Sequence, residues 1–205
     1  MGRQETEFLN GEGDQWYARN KDKPGIYRRN HIIADHISEP SSILEIGCGD
    51  GRYLFDLQNL YDCKCTGIDP SDVATTVGRE RYHDINFICG TANHQFPPNE
   101  FDVVIYGFCL YLCDRDKLSR IAAIGDGVLR DKGHLIIHDF DPEHPHSVPY
   151  RHAEGLLSYK QDYSKLWLAN PTYSLVNKTT TEDGAAVWVL KKDIAAGWPL
   201  EAAPC

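Results

Sequence analysis

The chain has 205 residues, of which 41% are hydrophobic and 25% charged, the make-up of a globular domain and not of a disordered or fibrous chain. Twenty-one Lys and Arg against thirty Asp and Glu give a net charge of −9, which opposes binding to nucleic-acid phosphates or an anionic membrane surface. The longest nearly unbroken apolar run, Val103 to Cys113, is well short of the roughly 20 residues that span a bilayer, and the opening MGRQETEFLNGEGDQW has no signal core.

In chain order, residues 1–40 are polar with aromatic and basic punctuation, and the spacing of Ile26, Ile33 and Ile37 predicts a helix closed by Ser38-Glu-Pro40. A regular alternation follows. Strands are expected at 42–47, 64–69, 85–89, 101–106 and 133–140, and helices at 52–60, 71–82 (with Ser71 as N-cap) and 114–129. This succession specifies an α/β, doubly wound, mostly parallel sheet with helices on both faces. Two further strands, 173–180 and 185–190, flank Thr181-Glu-Asp-Gly184, so the sheet ends in a C-terminal antiparallel hairpin. The length fits a single domain: a lead segment 1–40, a core 41–140, a segment 141–172 and the hairpin 173–192.

Seven cysteines, an odd number mostly inside apolar runs, read as buried free thiols of a reducing cytoplasm. Cys63 and Cys65 have the wrong spacing for a zinc knuckle, and no metal is expected.

The chemistry concentrates in Glu45-Ile-Gly47-Cys-Gly49-Asp-Gly51, between the first strand and its helix, at the carboxyl edge where open α/β sheets bind ligands. The dinucleotide pattern G-x-G-x-x-G is broken, because Gly51 comes one residue early. A P-loop lysine is absent. Glu45 disfavours a pyrophosphate and favours a ligand carrying positive charge.

Here the chain resembles the class I S-adenosylmethionine (SAM)-dependent methyltransferases. Their acidic residue and G-x-G-x-G stand as Glu45, Gly47, Gly49 and Gly51, with Cys48 inside the loop, and their second acidic residue stands as Asp69 before Pro70. The resemblance implies a seven-stranded sheet, SAM as cofactor with S-adenosylhomocysteine as product, and ribose hydroxyls held by Asp69. It places the adenine at Thr91-Ala92, where the family has Asp in place of Thr91, and sets Tyr106 and Gly107 beside the cofactor. The stretch from Gly11 to Asn20 is similar to the lead of small bacterial methyltransferases of surface-sugar and natural-product biosynthesis. Tyr17 and Arg19 in it are expected over the cofactor, Arg19 on the methionine carboxylate.

The segment after the fifth strand is rich in His, Tyr and Asp, which suits a small polar acceptor methylated on oxygen or nitrogen. Tyr111, Asp139, Tyr159 and Tyr163 are expected around that acceptor, with His138 and then His152 as general base for a hydroxyl. The competing readings are a methyltransferase of protein or RNA and a SAM-binding scaffold without turnover.

Overall fold

The computed structural model describes residues 2–23, 36–37, 41–181 and 184–199. Most of the helix expected at 26–37, and the middle of the turn at 181–184, lie outside the described residues. The chain starts with α1 (Arg3–Glu7), a wider turn over Phe8–Glu12, and α2 (Gly13–Asn20). Next come β1 (Ser42–Ile46), α3 (Arg52–Tyr61), β2 (Lys64–Asp69), α4 (Asp72–Arg81), β3 (Asn86–Cys89) and β4 (Phe101–Gly107). Then follow α5 (Leu118–Val128), β5 (Leu129–Phe140), β6 (His146–Pro149), β7 (Leu157–Lys160), α6 (Lys165–Leu168), β8 (Tyr173–Thr180), β9 (Ala185–Lys192) and α7 (Ile194–Gly197).

Seven strands form one sheet in the order β3-β2-β1-β4-β5-β9-β8. β1 to β5 pair in parallel, and β9 lies antiparallel between β5 and β8. This is the mostly parallel, doubly wound α/β sheet with its C-terminal hairpin. Period-two alternation sorts β4: Val104 and Tyr106 pack with Ile121 of α5 and Trp167 of α6, while Val103 and Ile105 pack with Leu54 and Leu57 of α3. Strands buried on both faces are apolar in nearly every position, as a sheet with helices on both sides demands.

Local departures from expectation have physical causes. Ser71 caps α4 as expected, its hydroxyl accepting from the Ala74 N–H at 3.0 Å. The helix expected from Asp114 begins as α-helix only at Leu118. Before it, the Arg115 guanidinium donates to the carbonyls of Leu110 and Cys113 at 2.6 and 2.8 Å, holding a tighter turn over Arg115–Lys117. β5 starts earlier than Gly133, but its ladder with β4 slips between Phe101↔Leu129 and Val103↔His134. The unbroken part of the strand therefore does begin near Gly133. The two-stranded β6–β7 sheet is an addition to the expected elements, since strands of four residues each are too short for a period-two pattern to stand out.

Gly51 shows how tightly the first loop is built: its φ is +74°, and a Cβ there would lie 2.3 Å from the Phe87 ring. Gly51→Ala therefore combines left-handed strain with overpacking, for an expected loss of about 2–4 kcal/mol. In urea unfolding, Phe87→Leu in the same chain should restore part of that loss, leaving the backbone strain.

Candidate functional site

The strand order reverses at β1, with β2 on one side and β4 on the other, and the crevice above this point is the natural ligand site of an open α/β sheet. A cleft of about 780 Å³, counted to its open mouth, lies there. Gly47, Asp69, Pro70, Thr91, Ala92 and Gly107 of the expected cofactor residues line it.

Its floor is the loop after β1. Gly47 and Gly49 hold φ of +81° and +56°, and the N–H groups of Gly47 and Cys48 both donate to the Ile68 carbonyl, at 2.8 and 3.2 Å. Asp69 closes this corner: one oxygen accepts from the Gly49 N–H and the other from the Ser71 N–H, both at 2.9 Å. Burial pushes its carboxyl up to about 6, against the pull of those two N–H groups. Each oxygen keeps lone-pair capacity for a further donor from the cleft. Glu45 is buried beneath the floor, where a Cβ on Gly107 would lie 2.6 Å from its Oε1. Cys48 is also buried, and Tyr106 donates its hydroxyl to the Ile121 carbonyl at 3.0 Å inside the core, so neither side chain faces the cleft.

The N-terminal segment forms the roof, with Gln4, Glu5, Phe8, Gly13 and Trp16 lining the cleft. Asp114 caps α1 from across the cleft, its two oxygens accepting from the N–H groups of Gln4 and Glu5 at 3.0 and 2.9 Å. Gln4 donates to the Leu112 carbonyl and accepts from the Leu157 N–H. Asp14 accepts from the Ser71 hydroxyl at 2.6 Å. Glu5 Oε1 accepts from Thr91 Oγ1 at 2.5 Å and Asn93 Nδ2 at 3.1 Å. Burial raises the Glu5 carboxyl, but these bonds outweigh it and hold the group below its ordinary value.

Two expected cofactor residues serve the roof itself. Tyr17 donates to Asp50 at 3.1 Å, and Arg19 is paired with Glu12 at 2.5 Å and with Tyr150 at 3.2 Å. Neither lines the cleft.

On the acceptor side, Phe108 stands in the wall with φ +57°, a left-handed conformation costly for an aromatic residue. Its N–H donates to the His138 carbonyl at 2.8 Å, and its ring packs on those of Tyr111, His138 and Phe140 at 5.2, 5.0 and 4.9 Å. His138 thus sits behind Phe108, buried and off the cleft surface. Trp16 bridges from the roof to the Tyr111 hydroxyl at 3.3 Å. Asp139 accepts from the N–H groups of Tyr111 and Phe140, and burial pushes its carboxyl up to about 7. Tyr159 and Tyr163 pack around the Arg115 guanidinium, and His152 is exposed against Tyr150.

Cys109 and Cys113 line the cleft, but burial holds the Cys109 thiol well above its ordinary value and pushes Cys113 up to about 12. Both are protonated and poor nucleophiles. No group of side chains among the described residues could hold a metal, and no described helix is long and apolar enough to cross a membrane. Sequence reasoning missed Gln4, Glu5, Phe8 and Asp114.

A family model described as a methyltransferase domain matches residues 44–137. Among curated proteins, one named as a methyltransferase, 235L of Invertebrate iridescent virus 6, is 24% identical over 46% of this chain, and the match spans 36% of the viral protein's own length. Among solved structures, Burkholderia thailandensis 1,6-didemethyltoxoflavin-N1-methyltransferase, with its substrate and S-adenosylhomocysteine bound, superposes with a TM-score of 0.77 at 17% identity. It covers 92% of this chain and 88% of its own. The [4+2]-cyclase SpnF superposes at 0.64 with 16% identity over 82% of each chain. The chain has the class I, Rossmann-like methyltransferase fold.

The roof depends on Asp114 for the cap of α1. Asp114→Ala should weaken it by about 1 kcal/mol. In hydrogen exchange, amides of residues 2–20 should exchange several-fold faster while those of β1, β4 and β5 are unchanged.

Proposed function

We infer that this protein transfers a methyl group from SAM to a small molecule held between the glycine loop and the N-terminal roof. The observation that carries the reading is the charge of the cleft wall. Glu5, Asp69 and Asp114 contribute carboxylates, and no Lys, Arg or His lines the cleft among the described residues. Such a wall repels the pyrophosphate of a nicotinamide cofactor and attracts a sulfonium cation.

The residues present fit SAM. Asp69 has lone pairs left for both ribose hydroxyls, and the apolar side chains of Ile68, Pro70 and Ala92 along the cleft offer a base a surface to pack on. SAM supplies an electrophilic methyl group on a positively charged sulfur. The chain's part is to align the acceptor, to exclude water and to steady the charge. Trp16, Phe108, Leu112 and Cys109 give the acceptor end an apolar and aromatic surface, which favours a flat acceptor over a bare sugar. The Burkholderia neighbour is named for methylating N1 of 1,6-didemethyltoxoflavin, and a small acceptor is proposed here on the same footing. A roofed cleft and a net charge of −9 both disfavour RNA. The described cysteines are free of disulfides, which fits a reducing cytoplasm.

His138 reaches this space only past Phe108, and His152 lies outside the roof. We therefore assign the rate to alignment, with a neutral nitrogen or a readily ionised hydroxyl as nucleophile. On this assignment His138→Ala lowers kcat by less than about tenfold, whereas base catalysis would show a loss of about 10²–10⁴-fold.

Calorimetric titration with SAM tests the cofactor assignment. Asp69→Ala should weaken binding tenfold or more, because two hydrogen bonds to a charged group are lost. The ionised carboxylate accepts both hydroxyl protons and the protonated one cannot. Affinity should therefore fall as pH drops through about 6 and level off above it. Undiminished affinity in the variant would refute the assignment.

A further inference from the structure

We propose that Glu5 selects the purine base, reading a 6-amino group from the roof of the cleft. This rests on the SAM reading above and goes further, because it moves base recognition from the sheet to the N-terminal segment. At the position where a carboxylate was expected beside Ala92, the chain carries Thr91, whose hydroxyl donates to Glu5 at 2.5 Å. The carboxylate is thus present, but α1 of the roof delivers it to the same end of the cleft.

The hydrogen-bond chemistry of this end wall has one sense. Asn93 must turn its NH₂ to the Glu5 carboxylate, 3.1 Å away, and this fixes its Oδ1 as an acceptor. That oxygen is buried and has no partner among the described residues. Among the described residues, Glu5 Oε2 accepts only a long bond, 3.3 Å, from the Gly2 N–H. The wall therefore has acceptors to spare and calls for a donor. An exocyclic amine supplies one, while a 6-oxo group would set oxygen against oxygen. A site built to bond an amine rejects an analogue that lacks it far more strongly than an apolar pocket rejects a change of shape. Glu5 also stays ionised over the working pH range, because the bonds from Thr91 and Asn93 outweigh its burial.

The test is calorimetric titration of the full chain with S-adenosylhomocysteine and with its inosine counterpart, S-inosylhomocysteine. It compares the unmodified protein with Glu5→Gln and with Glu7→Gln, the latter at an exposed position of the same helix. The unmodified protein should favour the adenosyl compound at least about thirtyfold. Glu5→Gln should cut that ratio tenfold or more, in part by tightening the inosyl compound, because an amide can turn its NH₂ toward the oxo group. Glu7→Gln should keep the original ratio. A ratio does not depend on the fraction of protein that is folded, so a weakened roof cannot imitate the result. Equal loss of both affinities in Glu5→Gln, or an unchanged ratio, overturns the role of Glu5 while leaving the SAM reading intact. Failure of the unmodified protein to bind either compound overturns that reading and this inference with it.

Discussion

The carboxylate of Asp69 holds the cleft together. It joins the Gly49 N–H to the Ser71 N–H, so the loop after β1 and the turn after β2 keep a fixed spacing. Ser71 extends the connection: its hydroxyl caps α4 at the Ala74 N–H and donates to Asp14 in the roof. Asp14 in turn accepts from the Val73 N–H at 3.0 Å. One half-buried carboxylate therefore couples floor, helix and roof. Removing it from water is costly, and its upward-shifted carboxyl records that cost. A cationic ligand with hydroxyl groups would offset it, which makes the same group structural and poised for binding.

The roof is held differently from the sheet beneath it. Phe8 and Tyr17 are its buried aromatic anchors, and most of its other attachments are polar, through Gln4, Glu5, Glu12, Asp14 and Arg19. Each such bond contributes only about 0.5–1.5 kcal/mol net, because water replaces it on opening. The sheet core is buried apolar surface and has no comparable substitute. The roof can therefore exchange its hydrogen bonds for water at lower cost than the strands can part. The wide turn at Phe8–Glu12, where Gly11 has φ +129°, divides the roof into two short helices with separate attachments. α1 is tied to the loops after β3 and β4, and α2 to the glycine loop and the end of β6.

The sheet was legible because its signals are local. The apolar runs Val103 to Tyr106 and Leu135 to Ile137 declare buried strands, glycines mark the first turn, and Asp69 ends its strand in the expected place. The roof was not legible. Its buried positions include Gln4, Phe8 and Glu12, four residues apart, and then Tyr17, but Gln4 and Glu12 are polar. Periodicity of apolar residues cannot show a face whose partners are hydrogen-bonding groups contributed by distant loops. The same reason hid Glu5, whose role depends on Thr91 and Asn93, 86 and 88 residues away in the chain. The placement of His138 was half legible. Its strand end was right, but the left-handed backbone of Phe108, which puts a ring between it and the cleft, leaves no mark in the sequence.

A crystal structure of the protein with S-adenosylhomocysteine tests the central claim most directly. The account predicts both ribose hydroxyls within hydrogen-bonding distance of the Asp69 carboxylate, and the sulfur facing the wall formed by Trp16 and Phe108. A nucleoside bound elsewhere, or Asp69 turned away from a ribose in this cleft, would contradict it.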